Sequence, residues 1–417
     1  HFNQRLSQFP YTLSKPVNPT TMKSSSIYSD LMQFPFLNAL FGRRARRFGL
    51  GMEIPSGPLA FKSVKDPLPL SEAEQMLLVA AATGVSGWTF GVPYGPRTPE
   101  SHAEFTVRFT GRPAPTAAGI GTPVLFFTDD NGCYCTNTRD LPPEKMQELD
   151  HTDNAMESLI SMCQKSTRRI SQGRLDLPSS PPYILPPNLW WANRPGSTLF
   201  FPVGDCSEEC LGIMALMLRH GVYMVDGDTG QPAGNLDPFV RSGMLDPNKR
   251  FPIAELLSDV NESLCMELAF MGHNIVLMLQ AIGLGGLFFN GIDTLSILGA
   301  NASDGVAGLG FQFVEDERWV TPNAVGLKGV YEALCPPNYP DMHAAVEVFV
   351  QRKFGHNGAY DSNKPGPWRD SARVKKSVNP YTSEFVDCMA TIAQYIYEKY
   401  GKFPGTRTTI MLPGCVQ

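Results

Sequence analysis

Four arginines fall within five residues in Gly42-Arg43-Arg44-Ala45-Arg46-Arg47-Phe48. Fixed cations with planar, forked donors suit a dianionic phosphate, which takes paired N–H bonds from such groups. A run of this kind is more often a solvated basic face or a nucleic-acid patch. The formal net charge of −5 argues against a general nucleic-acid binder and favours a local anion site. A second stretch, Arg112-Pro-Ala-Pro115-Thr116-Ala117-Ala118-Gly119, combines a fixed φ at Pro115, a hydroxyl at Thr116 and close backbone approach at Gly119. Those properties suit a loop laid against a planar ring, although a plain Pro/Gly surface loop carries the same residues. A third lies between Glu267 and Asp293, where His273, Asn274, Gln280 and Asn290 interrupt an otherwise apolar segment. Histidine is a common general acid or base, but His273, a mid-helix histidine in such a segment, reads first as a core residue.

These residues need elements to hold them. Leu268 to Ile282 is apolar on every face of a 3.6-residue helix, which predicts a helix without a solvent face. Gly283 and Gly285 supply a positive-φ stop, and Leu287 to Phe289 reads as a short central strand. A membrane span is the rival reading; the polar residues in mid-segment and the lack of a second candidate favour a core helix, and no membrane association is expected. Ser71 and Glu74 form a capping-box pair opening an alanine-rich helix that Gly84 closes. Pro123 to Phe127 followed by Asp130-Asn131-Gly132 reads as a strand and turn.

Further along, Pro143 to Gln172 reads as one helix, followed by a proline-rich run from Leu177 that forbids regular structure. Trp190, Trp191 and Phe200 read as anchors of that run, or as a lid. A helix from Ser207 to His220, a strand from Gly221 to Val225 and a helix from Thr382 to Tyr400 complete the reading. The length of 417 residues, 42% hydrophobic and 18% charged, allows one large α/β domain with insertions or two domains. Nine cysteines form no paired framework, and Cys133/Cys135 and Cys206/Cys210 lack histidines at zinc spacing, so no metal is expected. Such thiols suggest a reducing, cytoplasmic setting, and the first residues lack a signal-peptide order.

Taken together and in chain order, the motifs resemble the FMN-dependent nitroreductase superfamily. Gly42 to Phe48 is similar to its phosphate-binding arginine motif, with Ala45 where a serine is common and one residue fewer before the phenylalanine. Arg112 to Pro123 resembles the R-x-x-P-S-A-G-x-x-x-P segment of the branch that includes thiazoline and oxazoline oxidases. Asn274 followed by Gly283-Leu284-Gly285, with Asn290-Gly291 beyond, resembles the interface helix and the following polar-Gly turn.

The resemblance implies an α/β (α+β) fold, a central mixed, mainly antiparallel sheet flanked by helices. It implies an arm at 1–40, a core at 41–335 with a Pro-rich insertion at about 141–200, and an extension at 336–417. It implies bound FMN, held by Arg43, Arg44 and Arg46 at the phosphate, by Pro115, Thr116 and Ala117 beside the ring, and by Asn290 and Gly291 at its reactive edge, with Asn274 bracing the interface helix. It implies a homodimer with flavin at the subunit interface, NAD(P)H as a candidate electron donor, and a small organic or peptide-derived substrate. The branch's Lys-Tyr pair has no counterpart at the matching position, and no catalytic proton donor is assigned. A redox-inactive flavin-fold binding or assembly protein is the alternative.

Overall fold

The computed structural model describes residues 33–89, 106–116, 119–150, 155–189, 192–410 and 412–416. Ala117, Trp190 and Trp191 therefore lie outside the described residues, as does most of the N-terminal segment at 1–40.

The centre is a seven-stranded sheet built from β1 (Val124–Thr128), β2 (Gly132–Thr136), β3 (Thr167–Gln172), β4 (Thr198–Asp205), β5 (Gly285–Phe289), β6 (Thr406–Thr408) and β7 (Leu412–Val416). Its order is β5-β7-β4-β1-β2-β3, with β6 also on β4. Every described pairing in it is antiparallel, so the sheet is antiparallel and not mixed. The parallel pairing is confined to a separate two-stranded unit, Tyr223–Val225 with Arg250–Pro252. Strands β6 and β7 thus belong to the same sheet as β1 to β4.

Central strands β1 and β4 are buried along their whole length, as continuous apolar runs require when both faces are covered. Side-chain alternation sorts their residues into two cores. Leu125, Phe127 and Phe200 point to a helical layer, and Val124, Phe126, Leu199, Phe201 and Val203 point to a second core with Leu287, Phe289 and Tyr331. The helical layer contains α1 (Glu72–Thr83), α2 (Cys206–Arg219), α3 (Ile253–Ala281), α4 (Met342–Phe354) and α5 (Ser383–Tyr400). The capping box of α1 is complete, Ser71 accepting from the Glu74 amide and Glu74 accepting from the Ser71 amide. Asp205 caps α2 by accepting from the amides of Ser207 and Glu208.

Four readings need correction. The apolar helix is 29 residues long and does have a solvent face: Met266 and Phe270 are 51% and 40% exposed, and His273 is exposed and so is not a core residue. The buried positions, among them Leu264, Leu268, Met271 and Ile275, fill the opposite side. Only Gly283 has positive φ; Gly285 already belongs to β5. The stretch 143–172 is not one helix. It forms helices Pro143–Asp150 and Ala155–Ser166 and then β3, whose exposed Arg168 and Arg169 are the kind of charge that keeps an edge strand from pairing further. Phe200 is fully buried in β4 and is part of the core rather than a lid. Among the described residues one helix, α3, is long and apolar enough to cross a membrane.

Candidate functional site

The arginine segment leaves the short helix Phe36–Gly42 and runs beside the start of β5, where the Arg46 amide donates to the Gly286 carbonyl at 2.8 Å. Its four arginines are exposed. Arg44 Nη1 donates to the carbonyls of Phe41 and Arg43 at 3.0 and 2.8 Å, and among the described residues no carboxylate pairs with any of the four. Gly42 lies against Gln280 of α3, where an added Cβ would sit 3.2 Å from Nε2. Gly286 has no room for a side chain, because a Cβ there would meet Leu279 Cδ1 at 2.5 Å and the Gly414 carbonyl at 2.6 Å.

Asn290 and Gly291 follow the other end of the same strand. Asn290 lies four positions after Gly286, about 13 Å at the rise of an extended strand. The proline-rich segment packs on this turn: the Leu185 amide donates to the Gly291 carbonyl at 2.7 Å, and Asn188 Nδ2 donates to the Asn290 carbonyl. Gly291 has φ +85°, a backbone conformation that favours glycine, and the exposed Leu185 side chain packs beside it. Asn290 is exposed. Asn274 is half-buried on α3, and its side chain has no hydrogen-bond partner among the described residues. The structure therefore joins the arginine segment and the Asn290 turn through β5.

The described contacts of the Pro115 loop run in another direction. Pro115 is exposed and Thr116 half-buried, with the Thr116 methyl 3.7 Å from where a Gly121 Cβ would lie. Arg112 Nη1 donates to the Pro123 carbonyl at 2.6 Å. Burial and the neighbouring Arg108 lower the Arg112 pKa to about 10, against the pull of Glu267.

Arg112 adjoins a cluster that the sequence reading did not single out. Glu208, fully buried in the first turn of α2, accepts from Arg108 Nη2 at 2.8 and 3.0 Å and from Arg139 Nη1 at 3.3 Å, and pairs with Arg352 Nη1 at 3.2 Å. Asp140 bridges Arg108 and Arg139 at 3.1 and 2.9 Å. Arg139 lies over the Tyr331 ring at 4.8 Å, and the Tyr331 hydroxyl donates to the Thr122 carbonyl. Burial alone would raise the Glu208 pKa, but Arg108, Arg352 and Arg139 hold it down to about 2. Glu209 has no such partners: both its oxygens are buried without a hydrogen bond, and burial together with Glu267 and Glu208 pushes its pKa well up. This cluster floors a cavity of about 620 Å³ with Trp88, Phe109, Met146, Val348, Lys364 and Lys375 among its walls. A signal was available in Gly-Asp205-Cys-Ser-Glu208-Glu209-Cys, which places three carboxylates at the head of an otherwise apolar helix.

No family model matches the chain, and no curated protein matches it. Among solved structures, the crystal structure of a candidate nitroreductase from Ralstonia eutropha JMP134 matches at 13% identity, covering 68% of this chain and 77% of that one, with a TM-score of 0.28. So loose a likeness carries no argument about fold or activity. The chain is an α+β protein with an antiparallel central sheet, helices over one face and a second core on the other.

Proposed function

We propose that this chain is an FMN-dependent oxidoreductase that transfers hydride between bound flavin and a small organic or peptide-derived substrate. The observation that carries the reading is the meeting of two motifs some 240 residues apart: Arg46 bonds to Gly286 at one end of β5, and Asn290-Gly291 follows the other end. The donor chemistry fits. Arg43, Arg44, Arg46 and Arg47 are exposed cations without carboxylate partners among the described residues, as a phosphate-holding group requires. In this reading Arg43, Arg44 and Arg46 hold the phosphate, Pro115, Thr116 and Ala117 border the ring, and Asn290 and Gly291 offer polar groups at its edge. The flavin, when bound, supplies two-electron chemistry, with NAD(P)H as the candidate donor. The chain supplies binding and orientation.

We further infer a homodimer through α3. Met266, Phe270 and the exposed His273 lie along one strip of that helix, and Phe36, Leu37 and Phe41 of the adjoining short helix are 65%, 61% and 67% exposed. Apolar exposure on two adjoining helices favours an association surface there. All nine cysteines are unpaired, which supports a reducing, cytoplasmic setting.

One observation favours a redox-inactive alternative: Leu185 and Asn188 already take up the carbonyl side of the Asn290-Gly291 turn. Flavin titration separates the two readings. Wild-type protein is expected to bind FMN and to have it bleached by NAD(P)H or dithionite, whereas Arg43→Ala/Arg44→Ala binds at least about 30-fold more weakly with the fold intact. Unchanged FMN affinity in the double variant refutes the phosphate assignment. Bound flavin that no reductant can bleach supports the inactive module.

A further inference from the structure

The cavity above the ionic cluster shares no residue with the arginine segment, the Pro115 loop or the Asn290 turn. Its walls are of two kinds. Trp88, Phe109 and Met146 give an aromatic and thioether surface, with Phe109 fixed edge-on against Trp368 at 5.0 Å and Tyr360 at 5.3 Å. Facing in from α4 are Val348, Gln351 and Arg352, which share one side of the helix at i, i+3 and i+4 spacing. Five cations, Arg108, Arg139, Arg352, Lys364 and Lys375, line the cavity against two carboxylates, Asp140 and Glu144, with Glu208 directly behind.

Most of those cations are already committed. Arg108 uses Nε, Nη1 and Nη2 on Asp140, the Ile120 carbonyl and Glu208. Lys375 Nζ donates to the carbonyls of Asp361, Lys364 and Pro365 at 3.2, 3.1 and 2.9 Å, which accounts for all three of its donors. Arg352 differs. Its Nη1 pairs with Glu208, its Nε and Nη2 have no acceptor among the described residues, and its side chain is 28% exposed. The Nε/Nη2 edge of a guanidinium presents two parallel N–H groups that match the two oxygens of a carboxylate. Lys364 gives one donor to Glu144 at 2.8 Å and, among the described residues, keeps two. The volume of about 620 Å³ is that of a small-molecule site with an apolar lining and a few converging polar groups.

We propose that this cavity binds a small aromatic carboxylate, its two oxygens on the Nε/Nη2 edge of Arg352 with Lys364 as second cation, and its ring against Trp88, Phe109 and Met146. The site stands independently of the flavin reading. The test is calorimetric titration of the full chain with 2-naphthoate and with its neutral isostere 2-naphthamide, followed also by tryptophan fluorescence. Naphthoate is expected to bind saturably, and the amide about 10- to 100-fold more weakly, because it cannot form the charge-assisted pair. Arg352→Lys keeps the charge but loses the fork and weakens naphthoate about tenfold. Because Arg352 also supports Glu208, Lys364→Met is the second variant; it keeps the length of the half-buried side chain and removes the charge, and it is expected to weaken naphthoate several-fold with the thermal unfolding transition retained. Equal affinity for acid and amide overturns the proposal, as does competition by inorganic phosphate equal to that of naphthoate, or unchanged binding in Lys364→Met. Naphthoate binding retained in Arg43→Ala/Arg44→Ala keeps this result separate from the fate of the flavin assignment.

Discussion

Glu208→Gln removes one negative charge, with little change in volume, from a site where three guanidinium groups converge at 2.8, 3.2 and 3.3 Å. Asp140 then remains as the nearest counter-charge for Arg108 and Arg139, and Arg352 has none among its described partners. Breaking one partner of a buried ion pair costs about 3–5 kcal/mol, because the charges left behind stay desolvated. An unfolding entropy of about 2.1 cal/mol/K per residue gives close to 0.9 kcal/mol/K for this chain, so the expected fall in Tm is about 3–6 °C. Glu209→Gln is the internal control. That carboxyl is buried without a hydrogen bond, and burial with Glu267 and Glu208 pushes its pKa well up, so replacing it with a neutral amide is expected to change stability by no more than about 0.5 kcal/mol. The pH dependence has a definite sign. The folded pKa of Glu208 lies near 2, below its ordinary value of 4.5, so its stabilisation is complete above the ordinary value and is lost as pH falls through the folded one. Wild-type Tm should therefore fall more steeply than that of Glu208→Gln between about pH 5 and pH 2. Differential scanning calorimetry of the three proteins decides the matter. A Tm loss below about 1 °C for Glu208→Gln, or a larger loss for Glu209→Gln than for Glu208→Gln, refutes the account of the cluster.

Other outcomes follow from separate parts of the molecule. Gly286→Ala forces a methyl against the Gly414 carbonyl between β5 and β7 and should cost about 1–3 kcal/mol, read by chemical denaturation. Ser71→Ala removes the capping box and should cost about 1 kcal/mol in the same assay. Cys133, Cys135 and Cys163 are pushed up by burial to about 12, so their stabilising effect is complete below the ordinary thiol value of 9.0 and is lost as pH rises through the folded one; Tm should decline across that range. Cys265 alone among the nine thiols is not buried, and it adjoins Met266. Native protein should show one thiol reactive toward a disulfide reagent, and Met266→Glu/Phe270→Glu should speed that reaction and shift the species to monomer by light scattering.

Much of this was legible in the chain, for identifiable reasons. Local signals, such as the Ser71/Glu74 box and the apolar run of β1, were read correctly because neighbouring residues alone decide them. Thr382 likewise caps α5, whose end lies at the glycine that follows Tyr400. The exposure of His273 is not legible in the sequence, because periodicity reports where apolar residues lie and not which side a neighbouring element covers. β3 was read as helix because its six residues follow directly on Ala155–Ser166, and only pairing with β2 distinguishes them. Of the candidate site, the adjacency of Arg46 and Gly286 could not be read from residues so far apart in the chain. The Glu208 cluster is hidden in the sequence for the same reason: its arginines come from positions 108, 139 and 352, which only the fold assembles.

The position of β7 has a consequence for biogenesis. It lies between β5 and β4, so two strands completed earlier in synthesis cannot neighbour one another correctly until residues 412–416 have been made and threaded between them. Until then the emerging polypeptide carries β5 and one side of β4 as unpaired edges, the state in which β-rich intermediates are most prone to aggregate. Removal of residues 406–416 should thus leave a protein that aggregates on expression, rather than a shortened but soluble one.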